Sequence, residues 1–181
     1  LSGKNLRANG AIFAANDNIQ VAGTTIDVAN AKISTQKDLM LGASNALSYQ
    51  AEQLTAGSNL SIVAPDIQSM AGAKVKAGGN FLLDTQKQLV FDSGDFSYEA
   101  GGDFVVLANG ITTTGITMNA KVLVLNAGTG VLDNQNGTFS AVDQLSVQGN
   151  GIVNRNSKAI ANNQVSFNAG NGTLDNINGT I

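Results

Sequence analysis

The chain has 181 residues, room for one domain with a continuous buried core. Charged residues make up 13% and apolar residues 43%, which excludes a disordered charged tail, and a net charge of −3 offers no attraction to nucleic acid or an anionic membrane. Cysteine and histidine are both absent, which removes thiol chemistry, thiolate metal sites and the commonest general base.

Glycine contributes 21 residues and proline one, Pro65, and there is no long run of strong helix-formers, so the composition reads as β-rich and turn-rich. No apolar run approaches the roughly 18 residues needed to cross a bilayer as a helix. The amino terminus carries no signal-peptide pattern. The chain opens on Leu1 rather than Met and reads as an interior piece of something longer.

Taken in order, the chain says one thing about eight times. The first unit reads Phe13, Ala15, the turn Asn16-Asp17, the pair Ile19/Val21, then Ile26/Val28. The second reads Ile33, Thr35, Leu39/Leu41, Leu47/Tyr49, and the third Leu54, Ala56, Gly57-Ser58, Leu60/Ile62, Ile67. The fourth has Val75, Ala77, Gly78-Gly79, Phe81/Leu83, Leu89/Phe91; the fifth has Tyr98, Ala100, Gly101-Gly102, Phe104/Val106, Ile111. The last three are Met118, Ala120, Leu123/Leu125, Val131/Leu132; then Phe139, Ala141, Leu145/Val147, Ile152/Val153; then Ala159, Ala161, Val165/Phe167, Leu174.

From Ile19 to Val165 the pairs step by 20, 21, 21, 23, 19, 22 and 20 residues. Apolar residues two apart share one face of a strand, and a 20-residue period is one coil of a solenoid. The small residue stands four positions before each pair, except that Ala120 stands three before, so that coil has lost a turn residue. Glycine pairs at the turns are expected to supply positive φ. The prediction is an all-β parallel β-helix of about eight coils, each of roughly 20–22 residues in three short strands, with an apolar bore. One domain spans 1–181, and the coil subtype changes near 93–130. A helical repeat is disfavoured by the β-branched residues and the two-residue alternation.

The repeat is plainest from Val131 onward. The units LDNQNGTFSAVDQLSV, IVNRNSKAIANNQVSF and LDNINGTI place Asn134, Asn154 and Asn176 at steps of 20 and 22 residues. These asparagines are expected to stack at a corner, each amide donating to the next carbonyl. The three units resemble the repeats of filamentous haemagglutinins and related two-partner-secretion exoproteins, including the effectors of contact-dependent growth inhibition. GAIFAANDNIQVAGTTIDVANA and LTAGSNLSIVA extend the resemblance more loosely over 1–130. The resemblance implies a right-handed β-helix, export through an outer-membrane two-partner-secretion transporter, a secreted or cell-surface location, and a role as a stalk or adhesin. The family's amino-terminal secretion domain is not in this stretch.

Candidate chemistry is sparse. Asn136-Gly137-Thr138, Asn171-Gly172-Thr173 and Asn178-Gly179-Thr180 fit the glycosylation sequon, which carries little weight in a bacterial exoprotein. The glycine pairs and Gly128-Thr129-Gly130 are not followed by a helix or by Lys-Ser/Thr, so they are turns and not phosphate loops. No cofactor or metal is expected.

Asp84, Asp92, Asp95, Glu99 and Asp103 form an acidic cluster balanced within that span only by Lys87. Without a nearby arginine or histidine, it reads as a solvated face rather than the acid–base pair of a polysaccharide lyase or hydrolase. Of nine aromatic residues, five fall here: Phe81, Phe91, Phe96, Tyr98 and Phe104. Four suit a stack in the bore, whereas Phe96 lies outside the apolar columns. The alternative to a stalk is therefore a module that contacts a host or bacterial receptor or glycan through 84–114, with Asp92, Asp95, Phe96 and Glu99 as its surface.

Overall fold

The computed structural model describes residues 1–50, 53–68, 72–91 and 97–181. Among the described residues there are 21 β-strands and no helix. Every strand pairing is parallel, and the chain winds as a β-solenoid of about eight turns. Each strand therefore bonds to the strand one period away, which is why the sequence period governs the packing.

The predicted columns are the observed ladders. Ile19, Leu39, Leu60, Phe81, Phe104, Leu123, Leu145 and Val165 pair in unbroken succession on one face. Phe13, Ile33, Leu54, Val75, Tyr98, Met118, Phe139 and Ala159 form the column of the preceding face. The third face stacks Leu6, Ile26, Leu47 and Ile67, and further along Leu89, Ile111, Leu132, Ile152 and Leu174. Leu60, Ile62, Leu83, Val106, Leu125 and Val147 are all at most 1% exposed. The short corner is also real: Ala120 pairs with Ala141 and Val122 with Gln144, so Lys121 stands alone where the next coil has Val142-Asp143.

Four expectations need correction. First, the coils are not uniformly three separate strands. Ile19–Asp27 and Leu39–Ser48 run continuously from the second face to the third, whereas Thr117–Asn126 and Thr138–Gln148 run from the first face to the second. A register shift at Gly23/Thr25 and another at Ala120/Val122 let a strand turn the corner without breaking.

Second, the glycine pairs at the first corner are absent from the positive-φ positions, which include Asn30, Asn136, Asn156 and Asn178 instead. A Cβ at Gly78 would overlap the carbonyl of Gly57, and one at Gly101 the carbonyl of Gly78. Lack of room between stacked corners selects glycine there.

Third, Val131/Leu132 and Ile152/Val153 are adjacent residues, so alternation points only one of each pair inward. Leu132 and Ile152 are buried and Val131 is 47% exposed. Fourth, the asparagines do not sit at a corner. Asn134 and Asn154 lie within strands Leu132–Gln135 and Ile152–Arg155, face the bore and are fully buried.

The predicted ladder is nonetheless formed, from inside. Thr113 Oγ1–H donates to Asn134 Oδ1 at 2.8 Å, Asn134 Nδ2–H to Asn154 Oδ1 at 2.9 Å, and Asn154 Nδ2–H to Asn176 Oδ1 at 2.7 Å. Ser157, also buried, donates to the Asn134 carbonyl and accepts from the Gly137 N–H. A buried amide is tolerated because each rung satisfies the next.

Three substitutions test this packing by denaturant unfolding. Leu83→Asp places an unpartnered carboxylate in the bore and is expected to cost several kcal/mol, roughly 3 or more. Asn154→Ala removes the middle rung and is expected to cost about 1–3 kcal/mol, whereas Asn162→Ala on the exposed first corner should cost under about 0.5 kcal/mol. Equal effects of the two asparagine variants would contradict the buried ladder.

Candidate functional site

The aromatic segment is mainly core. Phe81 and Phe104 stack on adjacent coils with ring centroids 4.4 Å apart and 15° between planes. Tyr98 reaches across the bore to meet Phe91 edge-on, at 5.2 Å and 85°. All four rings are at most 1% exposed. This is the expected stack, and it ends one coil before the amide ladder, since Leu89–Phe91 pairs with the strand that carries Thr113.

Of the four residues proposed as a contact surface, Asp92, Asp95 and Phe96 lie outside the described residues. Glu99 is described. It points outward from strand Ser97–Ala100, directly beside Lys76 of the preceding coil, and the two form an ion pair at 3.5 Å. Both side chains are well exposed, so the pair contributes at most about 1 kcal/mol and is screened by salt.

Glu99 lines an open cleft of about 650 Å³ with Lys76, Gly78, Gly101, Lys121 and Val142. Its origin is local. Gly78 and Gly101 carry no side chains, the Lys121 corner is one residue short, and the longer next corner raises Val142 as a wall. Ala77, Ala100 and Ala120 make the floor, so the cleft is shallow, with two cations and one carboxylate at its rim.

The remaining described acids do not converge on it. Asp84 faces outward on the second face between Val63 and Leu107. Asp103 sits at the first corner, where its N–H donates to Asn80 Oδ1. Lys87, expected to balance this cluster, instead pairs with Asp66 of the preceding coil at 2.7 Å. Among the described residues no three of His, Cys, Asp and Glu gather at metal-holding distances.

Two features were missed in the sequence. Asn18, Asp38, Asn59, Asn80 and Asp103 form a second ladder at the first corner, each side-chain oxygen accepting the backbone N–H of the next member at 2.9–3.1 Å. Its signal was an Asn or Asp immediately before each of the first five apolar pairs. The second is an outward apolar strip on the second face. Leu82, Val105 and Val124 follow one another in one column, with Met40 beyond Ser61, and Val63 and Leu107 flank Asp84 in the other.

No protein-family model, no curated protein and no solved structure matches this chain. The likeness to haemagglutinin repeats therefore stands on the repeat units themselves.

Electrostatics fastens coil to coil. Hydrogen bonding from Lys37, Lys87 and Arg155 holds the carboxyls of Asp17, Asp66 and Asp175, respectively, below the usual range. A depressed folded-state pKa means the stabilisation is present above the unfolded value near 4 and is lost as pH falls through the folded value. Thermal unfolding is expected to be level from about pH 5 to 8 and to fall below about pH 4. A Lys87→Met/Arg155→Met double variant should show a shallower acid limb; an unchanged one would contradict these partners.

Proposed function

We propose that this chain is an extracellular spacer: a β-helical stalk segment of a two-partner-secretion exoprotein of the haemagglutinin or contact-dependent growth-inhibition type. It would leave the cell through an outer-membrane transporter and project a distal functional region from the bacterial surface, without catalysis of its own. The observation that carries this reading is the unbroken stacking of eight coils in fixed register, with corners varying by a few residues only. A rod of constant cross-section gains length by adding coils, at about 4.8 Å each, and needs no particular surface to do so. The divergence of Asp84, Glu99 and Asp103 weighs against a lyase or hydrolase, which needs two carboxyl groups facing one bond.

A second reading has one observation in its favour. The cleft at Lys76, Glu99 and Lys121 lies beside 84–114 and offers both charge signs to a receptor or glycan. One deletion separates the readings. Ile19 and Leu39 occupy the same register position and the coil between them lies outside the cleft, so removing residues 19–38 takes out one coil, rejoins the columns and leaves the cleft intact. In the full-length parent protein, the spacer reading expects surface display and target attachment to persist after this deletion and after Lys76→Glu/Lys121→Glu. Attachment retained by the deletion but lost in the folded charge-reversal variant would replace it with the contact reading.

A further inference from the structure

The corner between the second and third faces is built in two ways. Residues 107–111 and 148–152 make a short corner in which the Gly110 and Gly151 N–H groups donate to Ala127 and Ala169 carbonyls of the next coil, both at 2.9 Å. Residues 126–132 and 168–174 make a longer one. There Asn126 and Asn168 accept from the N–H groups of Gly128 and Gly170, which have φ of 57° and 56°. In the longer corner the next glycine bonds only within its own turn: Gly130 to Ala127 O and Gly172 to Ala169 O, both at 2.9 Å. Because both long corners do this, the bond belongs to the turn and not to its place along the rod.

The difference matters for asparagine chemistry. Asn-Gly occurs at Asn9, Asn109, Asn136, Asn150, Asn171 and Asn178. The backbone nitrogen of the glycine can lose its proton and attack the asparagine Cγ. The new Cγ–N bond closes a five-membered imide, the Cγ–Nδ2 bond breaks, and ammonia leaves carrying a proton. Water then opens the imide to aspartate or isoaspartate, for a net exchange of amide and water for carboxylate and ammonium. A glycine N–H held by the next coil cannot react until the ladder opens, whereas one held by its own turn needs only the turn to open.

Gly10, Gly110 and Gly151 donate to backbone carbonyls of the next coil, and Gly137 to Ser157 Oγ of the next coil. Gly179 bonds within its turn, but the amide of Asn178 is tied to Asn156 Oδ1 and its backbone is left-handed. Asn171 and Gly172 are both exposed. The same place in the other long corner holds Thr129, which has no amide to lose.

We infer that Asn171 is a spontaneous modification site, converting to aspartate or isoaspartate while the fold shields Asn109 and Asn150. The isoaspartate form adds a methylene to the backbone just before Leu174 and Asn176. It therefore displaces the pairing of Leu174 with Ile152 and the last rung of the buried ladder.

The test is peptide mapping by mass spectrometry of the whole chain, aged at mildly alkaline pH, folded and in denaturant. Asn171 is expected to convert about tenfold or more faster than Asn109 and Asn150 in the folded chain, with the ratio collapsing towards one in denaturant. Amide exchange should be faster at Gly172 than at Gly110 and Gly151. Asn171→Thr should abolish the modified peptide and leave the unfolding midpoint in place. Equal conversion of the three asparagines in the folded chain, equal exchange of the three glycines, or a ratio that survives denaturant would each overturn the inference.

Discussion

The parallel hydrogen bonding of each coil to the next, at one strand spacing of about 4.8 Å, is the constraint on which everything else here depends. It makes each residue the neighbour of its counterpart one period away. A column can then hold only side chains that tolerate a copy of themselves at that distance. Leucine, valine and phenylalanine do so by packing, and asparagine by passing a hydrogen bond along the column. Lysines and carboxylates do so by alternating sign, as in Lys37–Asp17, Lys76–Glu99 and Lys87–Asp66. At the first corner Gly57, Gly78 and Gly101 follow one another after Gln36, and a Cβ on any of the three would overlap the carbonyl of the preceding coil.

Two polar ladders divide the rod. The exterior one runs from Asn18 to Asp103 and ends where the corner loses a residue and Val122 takes the next position. The interior one begins at Thr113 and continues through Asn134 and Asn154 to Asn176. The rings of Phe81, Phe91, Tyr98 and Phe104 fill the bore of the two coils that carry Asn80 and Asp103, the last members of the exterior ladder. The third-face column thus passes from Phe91 to Thr113 to Asn134, from ring to hydroxyl to amide. A bore filled by amides is narrower in side-chain volume than one filled by rings, and it is also register-specific, because a slipped strand would leave buried amides without partners.

Most of the core was legible because the period and the two-residue alternation together place a side chain on a column and on a side of the sheet. Ala120 standing three rather than four residues before Leu123 was enough to locate the register shift. The rest was not legible, for identifiable reasons. Period says which residues stack but not which corner bends within a continuous strand, so the merging at Gly23 and at Ala120 was hidden. Glycine at Gly78 has two possible causes, backbone sign and lack of room, and composition does not separate them. Attention to the inward pairs concealed their outward partners Leu82, Val105 and Leu107. In the candidate surface, charge counting assigned Lys87 to the wrong acids, because its partner Asp66 lies one coil away and not nearby in sequence. Glu99 points outward beside Lys76, and its cleft arises from absent side chains that no motif records.

Length along the rod is proportional to coil number in a stacked solenoid, and electron–electron distances between spin labels measure this directly. The chain has no cysteine, so label positions are unique. Gln20, Val105, Val124 and Ser166 share one outward column, with Val105, Val124 and Ser166 lying four, five and seven coil steps from Gln20. The predicted separations from Gln20 are about 19, 24 and 34 Å, rising by about 4.8 Å per coil whatever the number of residues in it. Distances that fail to rise linearly with coil number, or that spread broadly at Ser166, would contradict the stacked register.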